Sequence, residues 1–369
     1  MPVVLFTAST WSHLAGFHRP YLRAFRELGW QVHAACGGEP RDIPEADARF
    51  QLPFEKKMSS PRNFQAQAQL RQLMKETDYA LVCTHTSLAA FFTRRAAAGL
   101  RRRPAVVNVV HGYLFDDATP LLKKSILLAA ERLTAPQTDL LLTMNQWDFD
   151  AARRYRLGAR VEGIPGIGVD FSAFSALTPE ARAARRAACG IAPGERLLLY
   201  GAEFSARKNQ AMLLRALPLL PSEVKLALPG RGALLEECRA LARRLGVEQR
   251  VLFPGYVSPM WDWYAMADAA VSASRSEGLP FNIMEAMYAG LPVAASAVKG
   301  HTDLIASGQT GLLYPYGDEG AFSRAVLWLL EHPAQAAALG EAARRRAAAY
   351  ALHAVLPLVM ERYLSVRRS

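Results

Sequence analysis

The sequence has no apolar run near the roughly 20 residues that a membrane-spanning helix needs, so it offers no candidate span. Its four cysteines, Cys36, Cys83, Cys189 and Cys238, are widely scattered, with no CxxC pair and no Cys/His cluster along the chain. That spacing speaks against zinc and against a disulfide framework, and points to a reducing cytoplasm. There is no GxxxxGK[ST], which excludes a P-loop. A complete GxGxxG is missing after the first strand and at the later Gly230-x-Gly232, which weakens a dehydrogenase reading. Aromatic residues are not interleaved with the basic runs as single-strand binding favours, so no nucleic acid partner is expected. The opening MPVVLFTAST carries no basic stretch before its short apolar segment and is read as a first buried strand, not a signal peptide.

What is present suits a soluble two-domain protein. The 369 residues are 51% hydrophobic and 21% charged, enough for two sizeable cores. The net charge is +11. Such a surplus attracts phosphates, whether on nucleic acid, anionic lipid or small molecules. It gathers at Arg94, Arg95 and Arg101 to Arg103, and at Lys123 and Lys124. Solvated helix faces are the plain alternative for those runs.

Along the chain, continuous apolar strands alternate with amphipathic helices: VVLFTAST, WQVHAAC, YALVCTHT, AVVNVV and DLLLTMN are strands, with helical patterns between them. That alternation predicts a parallel sheet covered on both faces. VEGIPGIGVD, residues 161–170, carries three glycines and a proline and reads as a boundary. The pattern then restarts with RLLLYGAE, KLALPG, RVLFPGYV, AAVSAS and PVAAS. The fold class is α/β: two Rossmann-like, doubly wound parallel-sheet domains, 1–167 and 168–351, facing a central cleft. Ligands of such sheets bind beyond the carboxyl ends of the strands.

The candidates at strand ends follow. The first strand runs into STWSHLAGFHRP, which places His13, Gly16 and His18 near a helix start, where free N–H groups attract phosphate and glycine permits close approach. Packing roles are the alternative for both histidines. AVVNVV ends in His111-Gly112, a titratable ring at the edge of the sheet. RLLLYGAE leads to Arg207 and Lys208 just before a helix, two cations suited to a diphosphate. Gly230 and Gly232 open another helix, which a tight turn explains equally well.

Residues 274–290, SRSEGLPFNIMEAMYAG, keep two glutamates eight residues apart in an apolar setting. Pro280 fits the first turn of a helix. Glu277 then lies at its mouth, with the backbone of Gly278, Leu279, Pro280 and Phe281, and Glu285 lies further along its flank. A buried carboxylate is costly unless paired or hydrogen-bonded. A nucleotide sugar has the matching layout of sugar hydroxyls, diphosphate and ribose hydroxyls.

This stretch resembles the E-x7-E signature of retaining GT-B glycosyltransferases of family 4, and is accompanied by FHRPYL, HGYLF, GIPGIGVDFSAF, ARKNQ and KGHTDLI. HGYLF, PGIGVD and KGHTDLI are most similar to enzymes of capsule and exopolysaccharide synthesis. The resemblance implies transfer of a sugar from a nucleotide sugar, a UDP-sugar, to a glycan or polyprenyl-diphosphate-linked acceptor. The leaving phosphate would help deprotonate the acceptor, with no cofactor and no bound metal. It implies that Arg207 and Lys208 hold the diphosphate, Glu285 the ribose and Glu277 the transferred sugar, which His111 touches near its reacting carbon. Gly16 would lie against the phosphate or acceptor, and Gly230 to Gly232 with Tyr256 and Val257 would flank the base. His13, His18 and His111 are the candidate acceptor contacts. Glu203 stands where many members carry an arginine, which shifts the diphosphate onto Arg207 and Lys208. The last segment, about 352–369, would cross back onto the first domain, and the basic PLLKKSILLAAERL would rest on anionic membrane at the inner face of the plasma membrane. A UDP-sugar 2-epimerase-like enzyme and a non-catalytic binding member on the same fold are the alternatives.

Overall fold

The computed structural model describes residues 1–366. It divides into two compact units, one made of Met1–Gly168 and the stretch that begins at His353, the other of Val169–Leu352.

The first unit holds β1 (Val3–Ala8), β2 (Gln31–Cys36), β3 (Ala48–Gln51), β4 (Leu81–His85), β5 (Ala105–Val110), β6 (Leu140–Thr143) and β7 (Arg160–Gly163). They form one 7-stranded sheet in the order β3-β2-β1-β4-β5-β6-β7, every pairing parallel. β4 and β5 are buried along their whole length, as strands covered by helices on both faces must be. The core between β1, β4 and the helix Pro61–Glu76 is built from Leu5, Val82, Leu70 and Met74. That helix starts cleanly because the Ser60 side chain accepts from the Arg62 N–H and Pro61 stands at the first helical position. Its far neighbour in sequence, the helix Leu352–Leu364, packs on the same unit. Its Tyr363 is fully buried against Phe6, Tyr21 and Phe25. Arg367 and Arg368, which make the end of the sequence basic, lie outside the described residues.

The second unit holds β8 (Arg196–Leu199), β9 (Val224–Ala227), β10 (Val251–Leu252), β11 (Ala269–Ser272), β12 (Val293–Ser296) and β13 (Leu312–Tyr314). Their order is β10-β9-β8-β11-β12-β13, again all parallel. Its core joins Leu198, Leu213, Leu226, Val271 and Val326. Each sheet reverses its winding once, between β1 and β4 in the first unit and between β8 and β11 in the second.

Four elements differ from the sequence reading, one of them β13, an edge strand of the second sheet that the sequence reading does not include. STWSHLAGF is not a loop before a helix; Trp11–Phe17 is itself helical, with Trp11 and Leu14 buried. β7 occupies the start of the glycine-rich boundary, and β3 the polar stretch ARFQ. Both are short edge strands whose polar composition hides them. The basic runs are also not uniformly solvated. Arg94 is fully buried, donating to the Ala90 carbonyl and pairing with Glu131 at 2.8 Å.

Candidate functional site

The two winding reversals are where open α/β sheets bind ligands. In the second unit, the loop after β8 carries Arg207 and Lys208, and the loop after β11 carries Glu277. They meet. Arg207 Nη1 donates to Glu277 Oε2 at 2.6 Å and to the Ser276 carbonyl at 3.1 Å. Lys208 Nζ donates to Glu277 Oε1 at 2.5 Å. The carboxylate that the sequence reading assigned to sugar hydroxyls is therefore bridged by the two cations assigned separately to a diphosphate. Burial would raise the Glu277 carboxyl, but the charges of Lys208 and Arg207 outweigh it and hold the group near 2. One carboxylate faces two cations, leaving one positive charge in excess.

The residues behind this group were not singled out in the sequence. Gly300 packs so closely on Glu277 that a Cβ there would lie 2.8 Å from the Glu277 Cβ and from the Gly278 carbonyl oxygen. Only glycine fits this approach. The buried His301 bonds Ser272 and Ser296 at 3.2 Å, and Tyr200 bridges Ser274 at 2.7 Å and the Lys208 carbonyl at 3.1 Å. The signal for Gly300 and His301 was KGHTDLI, which was read only as part of a resemblance.

Glu285 lies in the helix Phe281–Tyr288, whose N-cap is Pro280, one position ahead of the first helical turn to which the sequence assigned it. Glu285 has a different environment from Glu277. No cation pairs with it among the described residues. It accepts from the Tyr264 hydroxyl at 2.8 Å. Burial pushes its carboxyl up to about 7, against the pull of that hydrogen bond. Asn282, on the same helix, donates to the Gly201 carbonyl at 3.2 Å and so ties this helix to the loop after β8. Tyr264, inside the aromatic helix Trp261–Met266, is a partner the sequence did not mark.

Gly230 and Gly232 belong to the same neighbourhood. A Cβ at Gly230 would lie 2.0 Å from the Ala202 carbonyl oxygen, and one at Gly232 would lie 2.3 Å from that of Phe204. The pair is thus a backbone-to-backbone seat for the loop that carries Arg207 and Lys208. Tyr256 is exposed, with the Arg231 guanidinium 5.7 Å above its ring, and Val257 follows it in the same loop. Glu203 is exposed.

At the reversal in the first unit, His13, His18 and His111 come together, joined by His85, the last residue of β4. His18 Nε2 lies 3.3 Å from His13 Nε2, and His85 Nδ1 lies 3.2 Å from His111 Nε2. Burial, reinforced for His18, His85 and His111 by neighbouring rings, lowers all four below the ordinary histidine value, His13 to about 4. The fold thus builds the histidine cluster that linear spacing did not show. His85 was visible as a strand end in YALVCTHT. Gly16 is corrected in its placement only: it lies inside the helix Trp11–Phe17 and not at a helix start, exposed, with no protein atom within 4 Å of where a Cβ would stand.

Comparisons with known proteins agree with this architecture. Residues 21–171 match the model of Glycosyltransferase Family 4, and residues 182–346 that of Glycosyl transferases group 1. The chain is 32% identical over 349 residues to EpsD of Bacillus subtilis, which carries a glycosyltransferase assignment, covering 93% of this chain and 91% of that protein. Among solved structures it is similar to Anabaena HepE in complex with UDP and glucose, with a TM-score of 0.82 and 19% identity over 99% of this chain and 100% of the other. It is likewise similar to WaaG, a glycosyltransferase involved in lipopolysaccharide biosynthesis, with a TM-score of 0.78 and 21% identity over 98% and 99% of the two chains. Two parallel-sheet α/β units of the GT-B fold, matched along nearly their whole length by a relative of this identity, place the chain in family 4 of the glycosyltransferases.

Proposed function

We propose that this glycosyltransferase moves a sugar from a UDP-sugar to a glycan or polyprenyl-diphosphate-linked acceptor in cell-surface polysaccharide synthesis, with retention of configuration. The observation that carries the reading is the Arg207–Glu277–Lys208 group at the reversal of the second sheet. Its surplus cation suits a diphosphate that develops charge as it leaves, and preorganised charge of this kind is a large term in transfer catalysis. Glu277 then accepts from hydroxyls of the transferred sugar, and Glu285 from ribose. The HepE complexes with UDP support a uridine donor as a property of that relative's fold. The first unit takes the acceptor.

Calorimetry of UDP, GDP and ADP with wild type and Glu285→Ala tests the donor side. Tight UDP binding that the substitution weakens supports the reading; preference for another nucleotide removes UDP. No nucleotide binding by folded protein would overturn the roles of both glutamates.

The acceptor side rests on the helix Leu121–Thr134. Leu121, Leu122 and Ile126 are exposed on it beside Lys123, and the only residue it buries is Thr134. Apolar side chains flanked by cations suit an anionic lipid surface, where each cation contributes about 1 kcal/mol. Cosedimentation with phosphatidylserine vesicles at low salt is expected, and Leu121→Ser with Lys123→Glu should abolish it. Wild-type protein that stays in the supernatant would remove the membrane from the proposal.

A further inference from the structure

The four-histidine cluster in the first unit has a feature that an acceptor-contact role does not explain. One ring nitrogen from each of His13, His18, His85 and His111 lies within 4.8 Å of the others. In a tetrahedral site with metal–nitrogen bonds of about 2.0–2.1 Å, the ligand nitrogens stand about 3.3 Å apart. Two edges of such a tetrahedron are already present: 3.3 Å between His18 and His13, and 3.2 Å between His85 and His111. The remaining edges are no longer than 4.8 Å, so closing the site on an ion needs a contraction of no more than about 1.5 Å.

The ring nitrogens that would ligate already face one another in pairs, His18 Nε2 with His13 Nε2 and His85 Nδ1 with His111 Nε2. Within each pair two lone-pair-bearing nitrogens compete for one proton, an arrangement that an ion between the pairs would replace with four ligand bonds.

We propose that His13, His18, His85 and His111 bind one divalent transition-metal ion of the zinc class. Imidazole suits zinc, cobalt and nickel, and four protein ligands leave no open position, so the ion is structural. It would fasten the carboxyl ends of β4 and β5 to the helix Trp11–Phe17 and fix the ring of His111. It lies in the first unit, whereas the Arg207–Glu277–Lys208 group lies in the second, and its test does not depend on the donor reading.

Tag-free full-length protein would be stripped with chelator, dialysed against Co2+ or Zn2+ alone, and analysed for metal content. We expect one ion per chain, intense visible d–d absorption of four-coordinate Co2+, and a rise in Tm with Zn2+. His85→Gln and His13→Gln should lose the ion and the Tm rise; the partly exposed His13 keeps the test valid if the buried His85 variant fails to fold. The control His353→Gln, on the exposed side of the last helix, should retain both. Absence of stoichiometric metal in folded wild type would overturn the proposal. So would the weak spectrum of six-coordinate cobalt, or binding unchanged in His13→Gln.

Discussion

Glu277 and Glu285 are the same residue type, eight positions apart, in opposite states. Two cations hold Glu277 ionised with its carboxyl near 2, while burial without a cation lifts Glu285 to about 7. The consequences for stability have opposite signs. Glu277 contributes stability that is present above the unfolded glutamate value of 4.5 and is lost as pH falls toward 2. Glu285 favours folding while protonated, and that contribution is lost as pH climbs from 4.5 through about 7. At pH 8 the buried charge on Glu285 costs roughly 3 kcal/mol. Glu285→Gln is therefore expected to be about 1–3 kcal/mol more stable than wild type at pH 8 and equal to it near pH 4, as measured by urea denaturation. The same carboxylate, once ionised, accepts hydroxyl hydrogens. UDP-sugar affinity should rise about tenfold between pH 6 and pH 8 in wild type and stay flat in Glu285→Gln. A flat wild-type profile would mean that the ligand does not engage the ionised group. The sequence showed that both glutamates needed partners. It did not show which, because Tyr264, Arg207 and Lys208 lie 21, 70 and 69 positions away from the carboxylates they contact.

Strands and helices were largely legible because a buried parallel strand is a plain apolar run. β4 and β5 carry that signal without interruption. Elements at the edges were not: ARFQ in β3 and the three-residue β13 offer no period to read. Glycines show the same limit. A glycine can mark a close approach or nothing at all, and spacing does not tell them apart. Gly16 sits in a helix with open space around it, whereas Gly232 sits 2.3 Å, in Cβ terms, from the Phe204 carbonyl oxygen. Gly16→Ala should raise stability by about 0.5 kcal/mol, the ordinary gain from replacing glycine in a helix, and leave nucleotide binding unchanged. Gly232→Ala should cost about 1–3 kcal/mol and weaken nucleotide binding, because the displaced backbone carries Arg207 and Lys208. Thermal melts and calorimetry on the two variants check both statements. A loss of binding in Gly16→Ala with stability intact would instead place Gly16 against the ligand, as the resemblance implies.

At the scale of the whole chain, each unit owns a separate core, and the first is completed from the far end of the sequence. Tyr363 fills a fully buried position among Phe6, Tyr21 and Phe25, with ring centroids 5.9–6.2 Å away. Its hydroxyl has no hydrogen-bond partner. The ring and the hydroxyl should then behave oppositely. Tyr363→Ala removes a packed aromatic ring and is expected to cost about 3–5 kcal/mol. Tyr363→Phe removes only an unsatisfied polar atom and should be neutral or mildly stabilising. Because the ring belongs to the first unit alone, the alanine variant should lower the melting transition of that unit and leave the second in place. Nucleotide binding by the second unit, followed as the temperature rises, reports which transition has moved. A single transition shifted as a whole would show that the two cores unfold together, and an unshifted melt would show that the last helix does not close the first core. The helix itself was foreseeable from its apolar pattern, and its destination on the first unit was foreseeable only from the family resemblance, since nothing in PLVMERYL distinguishes a helix that caps its own unit from one that completes another.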